Sequence, residues 1–166
     1  SILLTPGAGF AGEVAREVGE QLKALPKRRI AEKAVGDYGL IIRTEDLDEA
    51  LEIVNRFAPE HLELMVRNPK RALGKVKNAG AVFLGPNAPE VLGDYLAGPN
   101  HILPTGGTAR FSSPLGVYDF VKRTSVISFS AGALRKHGPG AEAFARLEGL
   151  EAHGRAIAKR LRPKKS

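Results

Sequence analysis

Several residue groups in this 166-residue sequence carry side chains suited to proton transfer or metal binding. Ala58-Pro59-Glu60-His61 sets a carboxylate beside an imidazole. An imidazole titrates near neutrality, so His61 could take a proton from an alcohol while Glu60 activates a water. Neighbours on a regular strand point to opposite faces, so both reach one substrate only where the chain is irregular. Pro59, with a fixed φ and no N–H, favours such irregularity. Asp94 and His101 lie in Gly93-Asp94-Tyr95 and Gly98-Pro99-Asn100-His101. Both are ordinary zinc-ligand types, in a Gly-rich stretch that lets backbone approach a small molecule closely. Their spacing is not diagnostic: Asp94 equally suits a turn cap and His101 a packed loop position. On one continuous helix Glu148 and His153 would be turned about 140° apart. Either Gly149 breaks that helix or the two serve different partners, and Glu151 competes as the carboxylate. Gly7-Ala8-Gly9-Phe10-Ala11-Gly12 matches GxGxxG between a strand and a helix, but no second strand ending in an acidic residue follows at the dinucleotide-site distance. Glycines that open a helix explain it as well. His137, before Gly138, reads as a helix C-terminus and is assigned no chemistry.

The elements that must hold these groups alternate. Ser1 to Thr5 reads as a buried strand, and a chain that starts there without an initiator Met is expected to be a fragment. Val14, Val18 and Leu22 predict a helix over Ala11–Leu25, followed by a strand at Gly39–Arg43. Leu47, Ala50, Leu51, Val54 and Phe57 share one helical face, with Asp46 and Glu49 in capping-box spacing at its start. A strand at Leu62–Val66, a helix over Pro69–Lys77 and a strand at Ala81–Leu84 follow. Such alternation predicts an α/β fold, a partial Rossmann-like parallel sheet covered by helices. From Gly85 to Gly116 there are six Gly and five Pro and no sustained period, and irregular chain of that length in a compact domain usually builds a site. Arg123 to Phe129 reads as a further strand. Beyond Ser130 the pattern is helical, interrupted around Gly138-Pro139-Gly140 and at Gly149. The domain reading is 1–118 for an incomplete α/β catalytic domain and 119–166 for a small, mainly helical C-terminal segment.

Composition narrows the chemistry. With 43% hydrophobic residues the chain can bury a core, and with no cysteine any metal ligand within it must come from His, Asp or Glu. A reducing, cytoplasmic setting fits that composition. No apolar run approaches the roughly 20 residues of a membrane span, so no membrane role is expected. The net charge of +7 sits partly in Lys159 to Lys165 and is otherwise scattered, with aromatics at only 6%. That distribution reads as solvated surface and not as a nucleic-acid stripe.

Taken together, Ala58-Pro59-Glu60-His61-Leu62-Glu63-Leu64, Val82-Phe83-Leu84-Gly85, Gly93-Asp94-Tyr95, Gly98-Pro99-Asn100-His101-Ile102-Leu103-Pro104-Thr105, Ser112-Ser113-Pro114-Leu115-Gly116-Val117 and Asp119-Phe120-Val121-Lys122 resemble the histidinol dehydrogenase family. The match runs across essentially the entire chain, which corresponds to the C-terminal part of a family member. The resemblance implies oxidation of L-histidinol to L-histidine with two NAD, the final step of histidine biosynthesis, in a zinc-dependent homodimer. It makes Glu60 and His61 the acid/base pair, with Glu60 on the water and His61 on the alcohol proton. It makes Asp94 and His153 two zinc ligands, and it puts His61, Asp94, His101, Glu148 and His153 around the substrate. The segment 119–166 is then expected to cross to the partner subunit. The other two zinc ligands, a substrate-binding Ser and the NAD-contacting domain would precede Ser1, so the chain by itself is expected to be inactive and to hold no cofactor-binding residue. The competing expectation is a non-catalytic scaffold or binding module that keeps the fold.

Overall fold

The computed structural model describes residues 1–162 and divides the chain into a unit of Ser1–Phe120 and a second unit that begins at Val121. In the first unit β1 (Ile2–Thr5) pairs in parallel with β2 (Leu40–Arg43), Leu3 opposite Ile41. Between them run α1 (Ala8–Ala24) and α2 (Arg28–Tyr38). The GxGxxG stretch opens α1: Gly7 is its N-cap, with its N–H on Thr5 Oγ1 at 3.2 Å, and Cβ atoms on Gly9 or Gly12 would meet open space. α2 was not expected from apolar periodicity, and it buries no residue. Ion pairs one turn apart, Arg28–Glu32 and Lys33–Asp37, both 2.6 Å, brace it instead.

α3 (Leu47–Phe57) follows, with Ala50, Leu51 and Val54 buried on the face that the periodicity indicated. Asp46 Oδ1 accepts the N–H of Glu49 at 2.9 Å, while the Glu49 carboxylate reaches back to the N–H of Glu45, one residue earlier than a capping box requires. The helix ends at Ala58, whose φ of 54° and ψ of 65° make it the one non-glycine with positive φ among the described residues. Pro59 stops the helix there, because a residue before proline is disfavoured in the right-handed helical region and proline has no N–H to continue the ladder.

β3 (His61–Leu64) pairs in parallel with β4 (Ala81–Leu84), with α4 (Pro69–Leu73) between them. α4 stops at Gly74, short of the expected Lys77. Leu51, Leu64 and Ala72 form the centre of the core, against Leu62, Val66, Val76, Val82 and Leu84. The architecture is therefore α/β, built on two parallel strand pairs with helical crossovers. The Gly/Pro-rich stretch contains one helix that periodicity did not reveal, α5 (Glu90–Tyr95), and a single 3-10 turn at Thr108–Arg110.

In the second unit, residues 121–129 form no strand, contrary to expectation. A strand needs a partner for its backbone groups, and here Val126 and Ile127 are 90% and 80% exposed. α6 (Ala131–Leu147) and α7 (Glu151–Leu161) form a helical hairpin. The expected break at Gly138-Pro139-Gly140 does not occur, since α6 runs through Pro139. Gly138 faces Ile157 and Leu161 so closely that a Cβ would stand 3.1 Å from Leu161 Cδ2. That packing holds the helix together where the proline removes a hydrogen bond. His137 is consequently inside α6, not at its end, with its ring edge-on to Phe129 at 6.4 Å. None of the described helices is long and apolar enough to cross a membrane.

The Asp46 cap is open to measurement. Asp46→Ala removes the acceptor of the Glu49 N–H and is expected to cost about 1 kcal/mol, with Asp46→Asn close to wild type. Urea midpoints with an unchanged slope test this; an Ala variant as stable as the parent would remove the cap from the account.

Candidate functional site

His61 is the first residue of β3, delivered by the Ala58-Pro59 exit from α3. Its register partner is Ala81. Just before it, the carbonyls of Pro59 and Glu60 accept the N–H groups of Gly80 and Ala81 at 2.9 and 2.8 Å, so the paired backbone extends past the strand ends. The His61 side chain is 23% exposed, and its Nε2 is enclosed without a hydrogen-bond partner. That atom lies 3.7 Å from Asp94 Oδ1 and 3.7 Å from Glu90 Oε1.

Glu90 and Asp94 reach it together because they are four residues apart on α5 and share one face. The first turn of α5 is tied to β3 through Glu63, whose carboxylate accepts the Glu90 N–H at 2.9 Å. Its middle presses on β4: a Cβ on Gly93 would stand 2.5 Å from Phe83 Cε1, so only glycine admits the ring there. Phe83 in turn lies beside the His61 imidazole, centroids 6.0 Å apart.

His101 comes from the irregular stretch and places Nδ1 2.7 Å from Asp94 Oδ1. Its ring stacks near that of His61, with centroids 6.1 Å apart and planes at 24°. The loop behind it is held at two points. Asn100 donates to Leu115 O and accepts from the Ile102 N–H at 2.8 Å, and the Arg110 guanidinium donates to the carbonyls of Gly107 and Arg56, the latter in the last turn of α3.

Crowding two carboxyls against two imidazoles perturbs both acids. Glu90 is raised above its ordinary 4.5, first by its hydrogen bond to Asp94, then by desolvation and by the Asp94 charge, with the two histidines opposing. For Asp94 desolvation pushes upward. Hydrogen bonds from Glu90 and His101 and the charges of both histidines outweigh it, leaving Asp94 below its ordinary 3.8.

The donor atoms of His61, Asp94 and His101 all lie within 4.8 Å of one another. Two imidazoles and a carboxylate are a donor set that suits zinc, and the enclosed His61 Nε2 has no hydrogen-bond partner within the protein. Of the residues singled out in the sequence, the structure thus brings together His61, Asp94 and His101, with Glu60 at the head of β3. Glu148 and His153 belong to the second unit. Glu148 caps the C-terminus of α6, His153 lies in the first turn of α7, and Gly149, at φ 72°, separates the two helices, which resolves the alternatives left by their spacing. Glu90 was missed; the only signal for it was its helical spacing from Asp94 after Pro89.

Comparison with known proteins gives a consistent picture. The sequence profile of the histidinol dehydrogenase family matches residues 1–161. The histidinol dehydrogenase of Halalkalibacterium halodurans is 58% identical over 161 residues, covering 97% of this chain and 38% of that protein. That of Bacillus subtilis is 54% identical over 161 residues, with the same coverage. The crystal structure of histidinol dehydrogenase from Elizabethkingia anophelis superposes with a TM-score of 0.87 at 35% identity, covering 96% of this chain and 37% of that one. The chain thus spans about 38% of the length of the curated relatives it matches.

In the metal-free chain the two acids of α5 should titrate in opposite directions. Carbon-detected NMR should find Glu90 above 4.5 and Asp94 below 3.8. Glu90→Ala removes a donor that favours ionised Asp94, so the Asp94 midpoint should then rise. A Glu90 midpoint at or below its ordinary value would contradict the hydrogen bond between them.

Proposed function

Because the chain belongs to the histidinol dehydrogenase family, we propose that it supplies the acid–base pair and part of the metal site of an enzyme that oxidises L-histidinol to L-histidine with two NAD. The observation that carries this reading is the convergence of His61, Asp94 and His101 within 4.8 Å, just beyond Glu60.

In this reading Asp94, with His153, holds zinc, which when bound supplies a Lewis acid that grips and orients the substrate. His101 lies beside the substrate, and Glu148 is its carboxylate contact. His61 takes the proton from the alcohol as hydride leaves its carbon for the first NAD. The aldehyde that results has no hydride to give until water has added to it. Glu60 removes a proton from that water, and the hydrate then loses its proton and hydride to His61 and the second NAD. Among the residues of this chain, which include no cysteine, a Glu60-activated water is the simpler route to the acid. Irregular backbone at Ala58-Pro59 gives two sequence neighbours the freedom to serve one substrate.

The same reading assigns a cytoplasmic homodimer, with no nucleic-acid or membrane partner. The 166 residues alone then lack the cofactor domain and two zinc ligands and do not turn over.

Glu60→Gln is expected to spare the first oxidation more than the second, because only the aldehyde step needs an activated water. His61→Asn should slow both by about two to four orders of magnitude. Rates measured separately on histidinol and histidinal decide it: equal losses on both for Glu60→Gln would end this division of labour.

If the second unit crosses to a partner, His153 acts in the partner's site. His61→Ala and His153→Ala enzymes should each be nearly inactive, and co-refolding them should restore about a quarter of wild-type activity, since about half the dimers are mixed and each has one intact site. A mixture that stays inactive, with heterodimers verified by mass, would place His153 in its own subunit's site.

A further inference from the structure

Asn55, in the last turn of α3, is joined to the turn that precedes β4 by four hydrogen bonds. Its Nδ2 donates to Lys75 O at 2.9 Å, and its Oδ1 accepts the N–H groups of Lys77 at 2.6 Å and Asn78 at 3.2 Å. Its own carbonyl accepts Asn78 Nδ2 at 2.8 Å. One planar amide thus satisfies a carbonyl and two N–H groups of a turn 20 to 23 residues away, which no other side chain of this size does with a donor and an acceptor in fixed relation.

Both ends of this clasp lead to the same place. Down one arm, Asn55 is followed by the tight exit at Ala58 and then by Pro59 and Glu60. Along the other, Asn78 is followed by Gly80 and Ala81, whose N–H groups bind the carbonyls of Pro59 and Glu60. Gly80 sits so near that chain that a Cβ would stand 2.6 Å from Glu60 O and 3.1 Å from Pro104 Cδ, at the loop that carries His101. Covalent and hydrogen bonds therefore close a small ring through Asn55, the 75–78 turn, Gly80-Ala81 and Pro59-Glu60. Parallel pairing by itself permits a slide, and a slip of one residue would turn His61 to the opposite face. A closed ring does not permit it.

We propose that Asn55 is a positioning residue for Glu60 and His61: by fixing the 75–78 turn it sets where β4 grips the backbone that presents them. The proposal rests on the reading of Glu60 and His61 as the acid–base pair. All four hydrogen bonds of Asn55 go to the 75–78 turn, so it acts on Glu60 and His61 through the backbone.

The test uses the complete enzyme containing this sequence, with Asn55→Ala, Asn55→Asp and Asn78→Ala variants. Asn55→Ala loses all three side-chain bonds, Asn55→Asp loses the donor to Lys75 O, and Asn78→Ala loses only the bond to the Asn55 carbonyl. The kcat on histidinol should fall about ten- to a hundredfold in Asn55→Ala, with KM within about threefold and zinc content unchanged. The two milder variants should fall in between, and amide exchange at Ala81 should quicken in the same order. Should Asn55→Ala fail to fold, the milder pair decides. Wild-type kcat in both of them, whatever their melting temperatures, or a kcat loss that merely follows lost zinc, overturns the proposal. If the wild-type enzyme itself does not oxidise histidinol, the functional reading has failed instead. Ala81 exchange then decides for the clasp, and unchanged protection in all three variants refutes it.

Discussion

Parallel pairing of β3 with β4 is the contact on which the geometry of the site depends. Each strand is only four residues long, so the pair cannot rely on its own ladder. It is extended backwards by the Gly80 and Ala81 N–H groups and backed by Leu51 of α3 and Ala72 of α4. His61 then projects where Phe83, one strand over, supports its ring. α5 is seated on the same pair through Glu63 and Phe83, which places Asp94 opposite His61. Nothing in this chain of supports is large, and each link is a short-range hydrogen bond or a close steric fit.

The electrostatic arrangement follows from that seating. Asp94 Oδ1 is shared between the imidazoles of His101 and His61, at 2.7 and 3.7 Å, and Glu90 adds a second carboxyl. Two acids this close oppose each other's ionisation, and the hydrogen bond between them raises Glu90 while it helps to lower Asp94. The site is therefore built to keep negative charge on Asp94, the residue that two imidazoles can reach.

Much of this was legible in the sequence for identifiable reasons. α3 announced itself because its apolar residues fall on one stripe and Asp46 begins it, and β4 because it is an unbroken apolar run. His61, Asp94 and His101 stood out by residue type, since carboxylates and imidazoles among glycines are seldom core. Glu90 did not, because a six-residue helix is too short to show a period and Gly93 in its middle reads as loop. α2 escaped because it packs almost nothing, and periodicity reports burial, not helicity. At Arg123–Phe129 the error ran the other way: a β-branched, apolar pattern signals readiness to pair, which a chain satisfies only where a partner strand is at hand.

That last segment has a consequence for handling the protein. Val126-Ile127-Ser128-Phe129 exposes three large apolar side chains outside any helix or strand, with Val126 at 90%, Ile127 at 80% and Phe129 at 59%. Short stretches rich in β-branched and aromatic residues, low in charge and free of proline, are those that stack into intermolecular cross-β. Lys122 and Arg123 stand before it with two residues between, and charge flanking such a stretch opposes the stacking of like copies. Salt screens such flanking charge, so stacking of this segment between copies is favoured as ionic strength rises.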